Sequence, residues 1–257
     1  MRSSRAVLFR QLTLCRSMCV ALSIAAHKLF DAHCGSSYAQ SGEDRLLLSH
    51  MHDCPSNYYV DVGCNHPIKH SNTYLLYQMG WSGLCLDANE SLVRQFRRVR
   101  PKDRVDCVCV GEKAGEITFS ISKDPALSHV VGNELVNPRA SDEDRRVIIA
   151  VKTLSQIFDE HHVPTQFGLL SIDLEGYDFI ALKSFDIHRW RPYLVVIEIH
   201  GLDLERCAEN EIVAYLMNAG YKLVGFDANN AIFRNLAAAA NDCKNSERTA
   251  QTLKFWQ

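Results

Sequence analysis

The feature that most limits the fold of this chain is a regular alternation of short apolar runs with amphipathic runs between residues 58 and 220. The apolar runs are rich in β-branched residues, as strands are, and the amphipathic runs space apolar residues three or four apart, as helices do. The predicted strands are YYVDV, GLCLDA, RVDCVCVG, EITFSIS, VIIAVKTL, FGLLSIDLEG and PYLVVIEIHG, and the predicted helices are NTYLLYQMG, ESLVRQFRRVR, LSQIFDEHH, YDFIALKSF and LERCAENEIVAYLMNAG. This order predicts an α/β fold with a doubly wound, mostly parallel sheet.

The end of the predicted sheet has a different pattern. Two further strand-like runs, YKLVGFD and NAIFRN, follow one another around Asn229 and Asn230, which form a good turn signal. They predict a hairpin that adds an antiparallel strand at the edge of the sheet. We assign the domain to residues 38–234, with a polar, irregular insertion over 123–146 that shapes the acceptor side, and a C-terminal tail over 235–257.

Residues 1–37 form an N-terminal segment of a different composition. The segment has no acid before Asp31, and its apolar run from Met18 to Ala26 is too short to span a bilayer. The pattern fits either a targeting segment or a helix that associates with a membrane surface through residues 1–30.

Composition and cysteine spacing narrow the classes of partner. The net charge of -2 gives no basic field, so we expect no nucleic-acid partner. The ten cysteines have no metal-ligand spacing and are read as buried thiols in a reducing compartment. A cytoplasmic location is therefore expected, and the sequence leaves the oligomeric state open.

Acidic residues follow the predicted strands. In a doubly wound sheet, ligands bind beyond the carboxyl ends of the strands, near the point where the strand order reverses. The polar residues at these ends are Asp61 to Asn65, Asp87, Asp173, Glu175, Glu198 and His200. An acid at a strand end is costly unless it is solvated or paired, so this pattern predicts a ligand site along one edge of the sheet.

The first two strand ends indicate the kind of cofactor. Asp87 is placed to accept hydrogen bonds from ribose hydroxyls, and its alternative role as a helix cap is better filled by Asn89. Gly63 is the single glycine of its strand end, and Asp61 and Pro67 nearby disfavour a pyrophosphate. A cofactor with a sulfonium and an amino-acid tail suits these acids, and S-adenosylmethionine is such a cofactor.

The other strand ends supply candidates for catalysis. Along a strand, Asp173 and Glu175 point the same way, as do Glu198 and His200, so two neighbouring strands would bring them together. Asp173, Glu198 or His200 could remove the proton of a hydroxyl during methyl transfer. One alternative is a divalent cation held by Asp173, Glu175 and Glu198; another is a structural role beside the helix that starts near Gly176.

A basic cluster lies between the second and third predicted strands. It comprises Arg94, Arg97, Arg98, Arg100, Lys102 and Arg104. We interpret it as a solvated helix face.

Several blocks occur together in a specific order. They are YAQSGEDRLL, YYVDVGCNHPIKHSNTYLLYQMGWSGLCLDANESL, Arg100-Pro101 with Asp103, VKTL, LLSIDLEGYDFIAL and RPYLVVIEIHG. Over residues 38–233 the chain resembles the FkbM-type methyltransferases, with Cys64 where that family often has alanine. The resemblance implies a class I, Rossmann-like fold and S-adenosylmethionine-dependent O-methylation of sugars, polyketides and related metabolites.

The resemblance also implies roles for individual residues. Asp61, Gly63 and Asn65 would line the methionine and ribose side of the cofactor, Asp87 would bind the ribose hydroxyls, and the adenine would lie near residues 107–111.

The block YAQSGEDRLL, near the N-terminal end of the domain, has two interpretations. Through the resemblance, Gln40 and Glu43 would reach the cofactor pocket. Alternatively this block is only a helix start, with Ser41 as the cap and Asp44 favourable to the helix dipole.

The expected function is therefore that of an S-adenosylmethionine-dependent O-methyltransferase with a small-molecule or glycan acceptor. The alternatives are a non-catalytic methyltransferase-like binding domain and a nicotinamide-dependent Rossmann oxidoreductase.

Overall fold

The computed structural model describes residues 37–121, 129–130, 145–227 and 229–237. The predictions for the N-terminal segment, most of the insertion and most of the C-terminal tail fall outside these ranges. The helices are α1 (Glu43–Ser49), α2 (Tyr74–Gln78), α3 (Glu90–Val99), α4 (Leu154–Glu160), α5 (Asp178–Lys183) and α6 (Glu211–Asn218). The strands are β1 (Tyr58–Val62), β2 (Ser82–Asp87), β3 (Arg104–Cys107), β4 (Cys109–Val110), β5 (Gly115–Ile121), β6 (His129–Val130), β7 (Arg145–Lys152), β8 (Gln166–Ile172), β9 (Arg191–Glu198), β10 (Tyr221–Asp227) and β11 (Asn230–Asn235).

The main sheet has seven strands in the order β10-β11-β9-β8-β1-β2-β3. β1 pairs in parallel with β2 and β8, and the outer pairs β2–β3 and β8–β9 are parallel as well. The chain starts at the centre, winds outward to β3, and returns to the other side of β1. The predicted doubly wound, mostly parallel sheet is confirmed, and its order reverses between β1 and β8.

The C-terminal hairpin forms as predicted, but its place in the sheet differs. β11 is the antiparallel strand, and it lies between β9 and β10. The edge strand is therefore β10, which pairs with β11 in the predicted antiparallel manner, whereas the position of β11 inside the sheet was not predicted. Burial explains the order, because Ile232 and Phe233 of β11 are fully buried whereas most of β10 is only half-buried.

A second, smaller sheet was not predicted. The run RVDCVCVG does not form one strand, since β3 ends in the main sheet and β4 belongs to a sheet of order β4-β7-β5-β6. β5 and β7 form its antiparallel centre. In β7, Ile149 is buried while Ile148 is exposed, the alternation of a sheet covered on one face only.

The helices follow the predicted pattern with one correction. The long helix predicted over residues 204–220 is instead a short 3₁₀ turn, Cys207–Glu209, followed by α6. Asn210 separates them, because its side chain accepts hydrogen bonds from the backbone N–H groups of Ile212 and Val213 and starts a new helix. No helix in the described part of the chain combines the length and apolar character needed to cross a bilayer.

The two faces of the main sheet bury separate sets of side chains. Val196 of β9 and Ile232 of β11 pack on the face that contacts Leu47 of α1. Their neighbours in sequence pack on the other face. Because side chains alternate along a strand, Glu198 and Asn230 extend the α1 face to the end of the sheet.

Candidate functional site

Gly63 follows β1 and brings two strand ends into close contact. Its φ is +81°, and a Cβ at this position would lie 1.8 Å from the backbone oxygen of Asp173. The Asp173 N–H donates to the carbonyl of Val62 at 3.0 Å. The glycine was expected to admit a ligand; the structure places the backbone after β8 directly against it, so only glycine fits.

Asp87 ends β2 with both carboxylate oxygens oriented by backbone groups. Oδ1 accepts from the N–H of Asn89 at 2.7 Å, and Oδ2 accepts from that of Asn65 at 2.9 Å. Asn89 caps α3 through Ser91, as expected. Burial raises the pKa of Asp87 to about 6. The side chain is therefore a fixed acceptor at the strand end, with lone pairs left for a ligand.

Asp61 is more deeply placed than its neighbours in the site. The residue is buried, and its Oδ2 accepts a hydrogen bond from the hydroxyl of Thr73. Burial raises the pKa of Asp61, and the charge of Arg100 opposes that shift. Its contact with a cofactor stays a prediction.

Arg100 is the main correction to the predicted basic cluster. Its side chain has no exposed surface, although it was interpreted as part of a solvated helix face. Nε donates to Asp103 at 2.7 Å, and Nη2 donates to the hydroxyls of Tyr59 at 2.7 Å and Thr73 at 2.9 Å. The guanidinium also lies over the ring of Phe96. The remaining members, Arg94, Arg97, Arg98, Lys102 and Arg104, are exposed as predicted.

The Arg100 network joins the loop after β1 to the sheet. Besides Thr73, Arg100 donates through Nη1 to the Ser71 hydroxyl at 3.3 Å and to the Pro67 carbonyl at 3.4 Å. This loop begins at Asn65, whose N–H contacts Asp87. The network therefore supports the backbone that orients the Asp87 carboxylate.

The residues after β8 form a loop and not the strand continuation that was expected. β8 ends at Ile172, and Glu175 adopts a left-handed φ of +51°. Asp178, which the sequence did not single out, holds this loop by accepting from the N–H groups of Leu174 at 2.9 Å and Gly176 at 3.0 Å. The common direction of residues 173 and 175 along a strand was therefore a wrong premise.

Three of the four predicted catalytic residues nevertheless converge. The ligand atoms of Glu175, Glu198 and His200 lie within 4.8 Å of one another, and His200 Nε2 is 3.1 Å from Glu198 Oε2. Asp173 is outside that group but close enough for the charge of Glu198 to affect its pKa. The carboxyl ends of β8 and β9 thus place these groups at one point beside the strand-order reversal.

Burial dominates the titration of these acids. It raises the pKa of Glu198 to about 7, with added repulsion from Asp178 and Glu175. Burial and Glu198 together raise the pKa of Asp173 well above its usual value. Near neutral pH, Glu198 is therefore poised to exchange a proton.

The three-residue group bears on the predicted divalent cation. The predicted ligands were Asp173, Glu175 and Glu198, but the group that converges contains His200 and not Asp173. It therefore offers two carboxylates and one imidazole as ligands. Glu175 and His200 are exposed, and exposed acids commonly occur together without an ion. A cation at Glu175 and Glu198 stays a prediction.

The block near the N-terminal end of the domain starts a helix and also reaches the far end of the sheet. Gly42, and not Ser41, is the N-cap of α1, so the predicted cap was wrong. Gln40 is exposed, whereas Glu43 is buried. Glu43 accepts from the Ser41 N–H at 2.8 Å and from the Asn230 side chain at 2.7 Å. Glu43 therefore contacts the hairpin beside Glu198.

Comparisons with known proteins bear on the same residues. A family model described as Methyltransferase FkbM domain matches residues 61–223, more than half of the chain. The crystal structure of a TehB-like SAM-dependent methyltransferase from Corynebacterium glutamicum is 16% identical in sequence. The match covers 84% of this chain and 98% of that chain, with a TM-score of 0.37. Among curated proteins, none matches this sequence. The family match includes every strand-end residue from Asp61 to His200.

Proposed function

Because this chain belongs to the family of methyltransferases with the FkbM domain, we propose that it methylates a hydroxyl oxygen of a sugar, glycan or secondary metabolite. Its fold is the Rossmann-like class I methyltransferase fold, and S-adenosylmethionine is the methyl donor that this family uses. Family membership argues against the nicotinamide-dependent alternative.

The residues at the first two strand ends fit this cofactor. The oriented Asp87 carboxylate has acceptor capacity for the two ribose hydroxyls. The end of β3, from residue 107 onward, is the next strand end along the edge and is proposed for the adenine. Gln40, Asp61, Gly63 and Asn65 are the other residues proposed to line or support this side. Glu43, which the sequence also assigned to the cofactor, instead contacts the hairpin next to Glu198.

Glu198 carries the catalytic proposal. Its carboxyl is largely buried, its pKa is about 7, and its Oε2 has no hydrogen-bond donor within the described part of the chain. When bound, S-adenosylmethionine supplies a methyl group on a sulfonium, whose carbon–sulfur bond breaks as the oxygen–carbon bond forms. Glu198 takes the hydroxyl proton at Oε2 in that step. Asp178 and Glu175 repel the charge of Glu198, and Asp173 and His200 are the other proposed catalytic residues beside it.

The first experiment separates binding from chemistry. Calorimetry with S-adenosylhomocysteine is expected to detect binding, and tritiated S-adenosylmethionine is expected to label a hydroxyl compound in fractionated extract. Absence of binding would refute the proposal. Binding without any labelled acceptor would favour the non-catalytic domain, and fluorescence titration with NADH tests the oxidoreductase.

Glu198→Gln tests the base directly. We expect kcat to fall about 100-fold with cofactor affinity unchanged, because the amide cannot take a proton. In the wild type, kcat/KM should rise with pH up to about 7 and then level, since only the ionised carboxylate acts as a base. Glu205→Gln, an exposed acid in the segment after β9, is the control. A variant at position 198 with wild-type kcat would remove Glu198 from this role.

A further inference from the structure

Asn230 lies beside the proposed base, although the sequence indicated only a turn there. It opens β11, and its Cα is the register partner of Glu198 in β9. Directly opposed residues of an antiparallel pair project on the same face, with Cβ atoms about 5 Å apart. Asn230 and Glu198 therefore share the end of the face that α1 covers.

The amide of Asn230 has a defined orientation. Its Nδ2 donates to Glu43 Oε1 at 2.7 Å, and Glu43 Oε2 is held by the Ser41 N–H at 2.8 Å. The amide nitrogen, which is the donor of this hydrogen bond, therefore faces Glu43. The amide oxygen, Oδ1, is consequently directed away from Glu43.

Both acceptors lack a donor. Asn230 Oδ1 and Glu198 Oε2 are buried atoms without a hydrogen bond to any part of the chain that the structure describes. His200 is near Glu198 Oε2, but its ring does not meet the geometry of a hydrogen bond. The third such atom, Arg234 Nε, is four residues along β11, about 13 Å away, and cannot serve them.

When Glu198 is ionised, as it must be to act as a base, the two neighbouring buried acceptors require two donors. Leaving such an atom unpaired costs about 1–3 kcal/mol, so a pair of them at a ligand-binding edge points to a ligand group that donates twice. A hydroxyl with a second hydroxyl on the adjacent carbon supplies two such donors side by side. A single alcohol or a phenol satisfies only one of the two oxygens.

We infer that Asn230 Oδ1 and Glu198 Oε2 form a subsite for a vicinal diol of the acceptor. The hydroxyl at Glu198 is the one that is methylated, and its neighbour donates to Asn230. This inference rests on the proposed function and narrows its acceptor to polyhydroxylated compounds such as sugars. Asn230 is an acceptor-binding residue in this arrangement, and Glu43 is a positioning residue that acts through it.

The test follows the Asn230 side-chain amide by NMR in protein saturated with S-adenosylhomocysteine. Asn230→Asp removes the signal and so assigns it. Methyl glycopyranosides of glucose, galactose, mannose and rhamnose are the diol probes, and cyclohexanol is the single-hydroxyl control. We expect at least one glycoside to shift the amide signal and cyclohexanol to leave it unchanged.

Matched variants then measure the contribution of the amide. Asn230→Ala should lower the affinity for the responding glycoside about tenfold without changing the affinity for S-adenosylhomocysteine. Asn229→Ala, one position earlier in the same turn, should change neither affinity. Glu43→Gln keeps the shape of the side chain but can donate to Asn230 and reverse its amide. The Glu43→Gln variant should also lower the affinity for the glycoside. It therefore tests the amide orientation even if Asn230→Ala proves unstable.

The opposing outcomes are distinct. The inference is overturned if no glycoside shifts the signal, if cyclohexanol acts equally, if magnesium chloride alone causes the shift, or if the variants bind as the wild type does. Failure of the proposed function would appear earlier, as absence of S-adenosylhomocysteine binding in the wild type.

Discussion

Asp87 shows how one side chain is prepared for a ligand before the ligand arrives. Two backbone N–H groups orient its carboxylate, so ribose hydroxyls would meet an acceptor that needs no rearrangement. We expect Asp87→Ala to weaken S-adenosylhomocysteine binding about 10- to 100-fold in calorimetry, since hydrogen bonds to a charged acceptor are lost. Asp106→Ala, in the next strand, is the control because that acid pairs with His161. Equal affinity of wild type and Asp87→Ala would contradict the ribose role.

Arg100 illustrates a residue whose charge is used for structure. Removing one partner of a buried ion pair leaves the other uncompensated, so Arg100→Ala should lower the free energy of unfolding by about 3–5 kcal/mol. Urea denaturation measures this. Arg98→Ala, on the exposed side of α3, which ends just before Arg100, should change that free energy by less than about 0.5 kcal/mol. Similar losses in both variants would argue against the network as a support of the loop.

At the scale of elements, the contact between β1 and β8 depends on Gly63. Gly63→Ala forces a Cβ onto a backbone oxygen that cannot move without shifting β8, so we expect a loss above about 3 kcal/mol in the free energy of unfolding. Gly80→Ala is a close control: its φ is also positive, at +94°, but its Cβ would have no neighbour within 4 Å. That variant should lose only about 1–2 kcal/mol, the cost of the left-handed backbone. Equal losses would show that conformation, and not contact, requires glycine at 63.

The elements also show what the sequence could predict. Apolar periodicity located most strands and helices because it depends on neighbours within a few residues. It could not assign β4 and β7 to a second sheet or place β11 inside the first, since these depend on pairing between distant segments. The site residues show the same difference between local and remote signals. Asp87 and Asn89 were predicted because they lie at a local strand-to-helix junction. Arg100 was misread because its partners Tyr59 and Thr73 are remote in sequence.

For the whole molecule, the acids of the sheet edge give stability a common pH dependence. Folding raises the pKa of Asp61, Asp87, Asp173, Glu175, Asp178 and Glu198. Above pH about 4 these acids therefore bind more protons in the folded protein than in the unfolded chain, and the lowered pKa values of His50 and His66 oppose only part of this effect. The stability that protonation contributes is complete below the unfolded pKa values and is lost as pH rises through about 6 for Asp87 and about 7 for Glu198.

The thermal midpoint should accordingly fall from pH 5.5 to pH 8, by more than about 3 °C in calorimetric scans. Glu198→Gln should reduce that fall, because the amide does not ionise. A midpoint that rises over this range would mean that the acids are paired more favourably in the folded state than their burial indicates.

The hydrogen bond between Glu43 and Asn230 has a consequence for synthesis in the cell. It joins residues 187 positions apart, from the first helix of the domain to the last strand. During translation the ribosome must release the hairpin before this bond can form, long after β1 and β2 have emerged. A nascent chain or one terminated before the hairpin therefore lacks this bond, and on the proposal that Asn230 binds the acceptor, methyl transfer would begin only after the hairpin has left the ribosome.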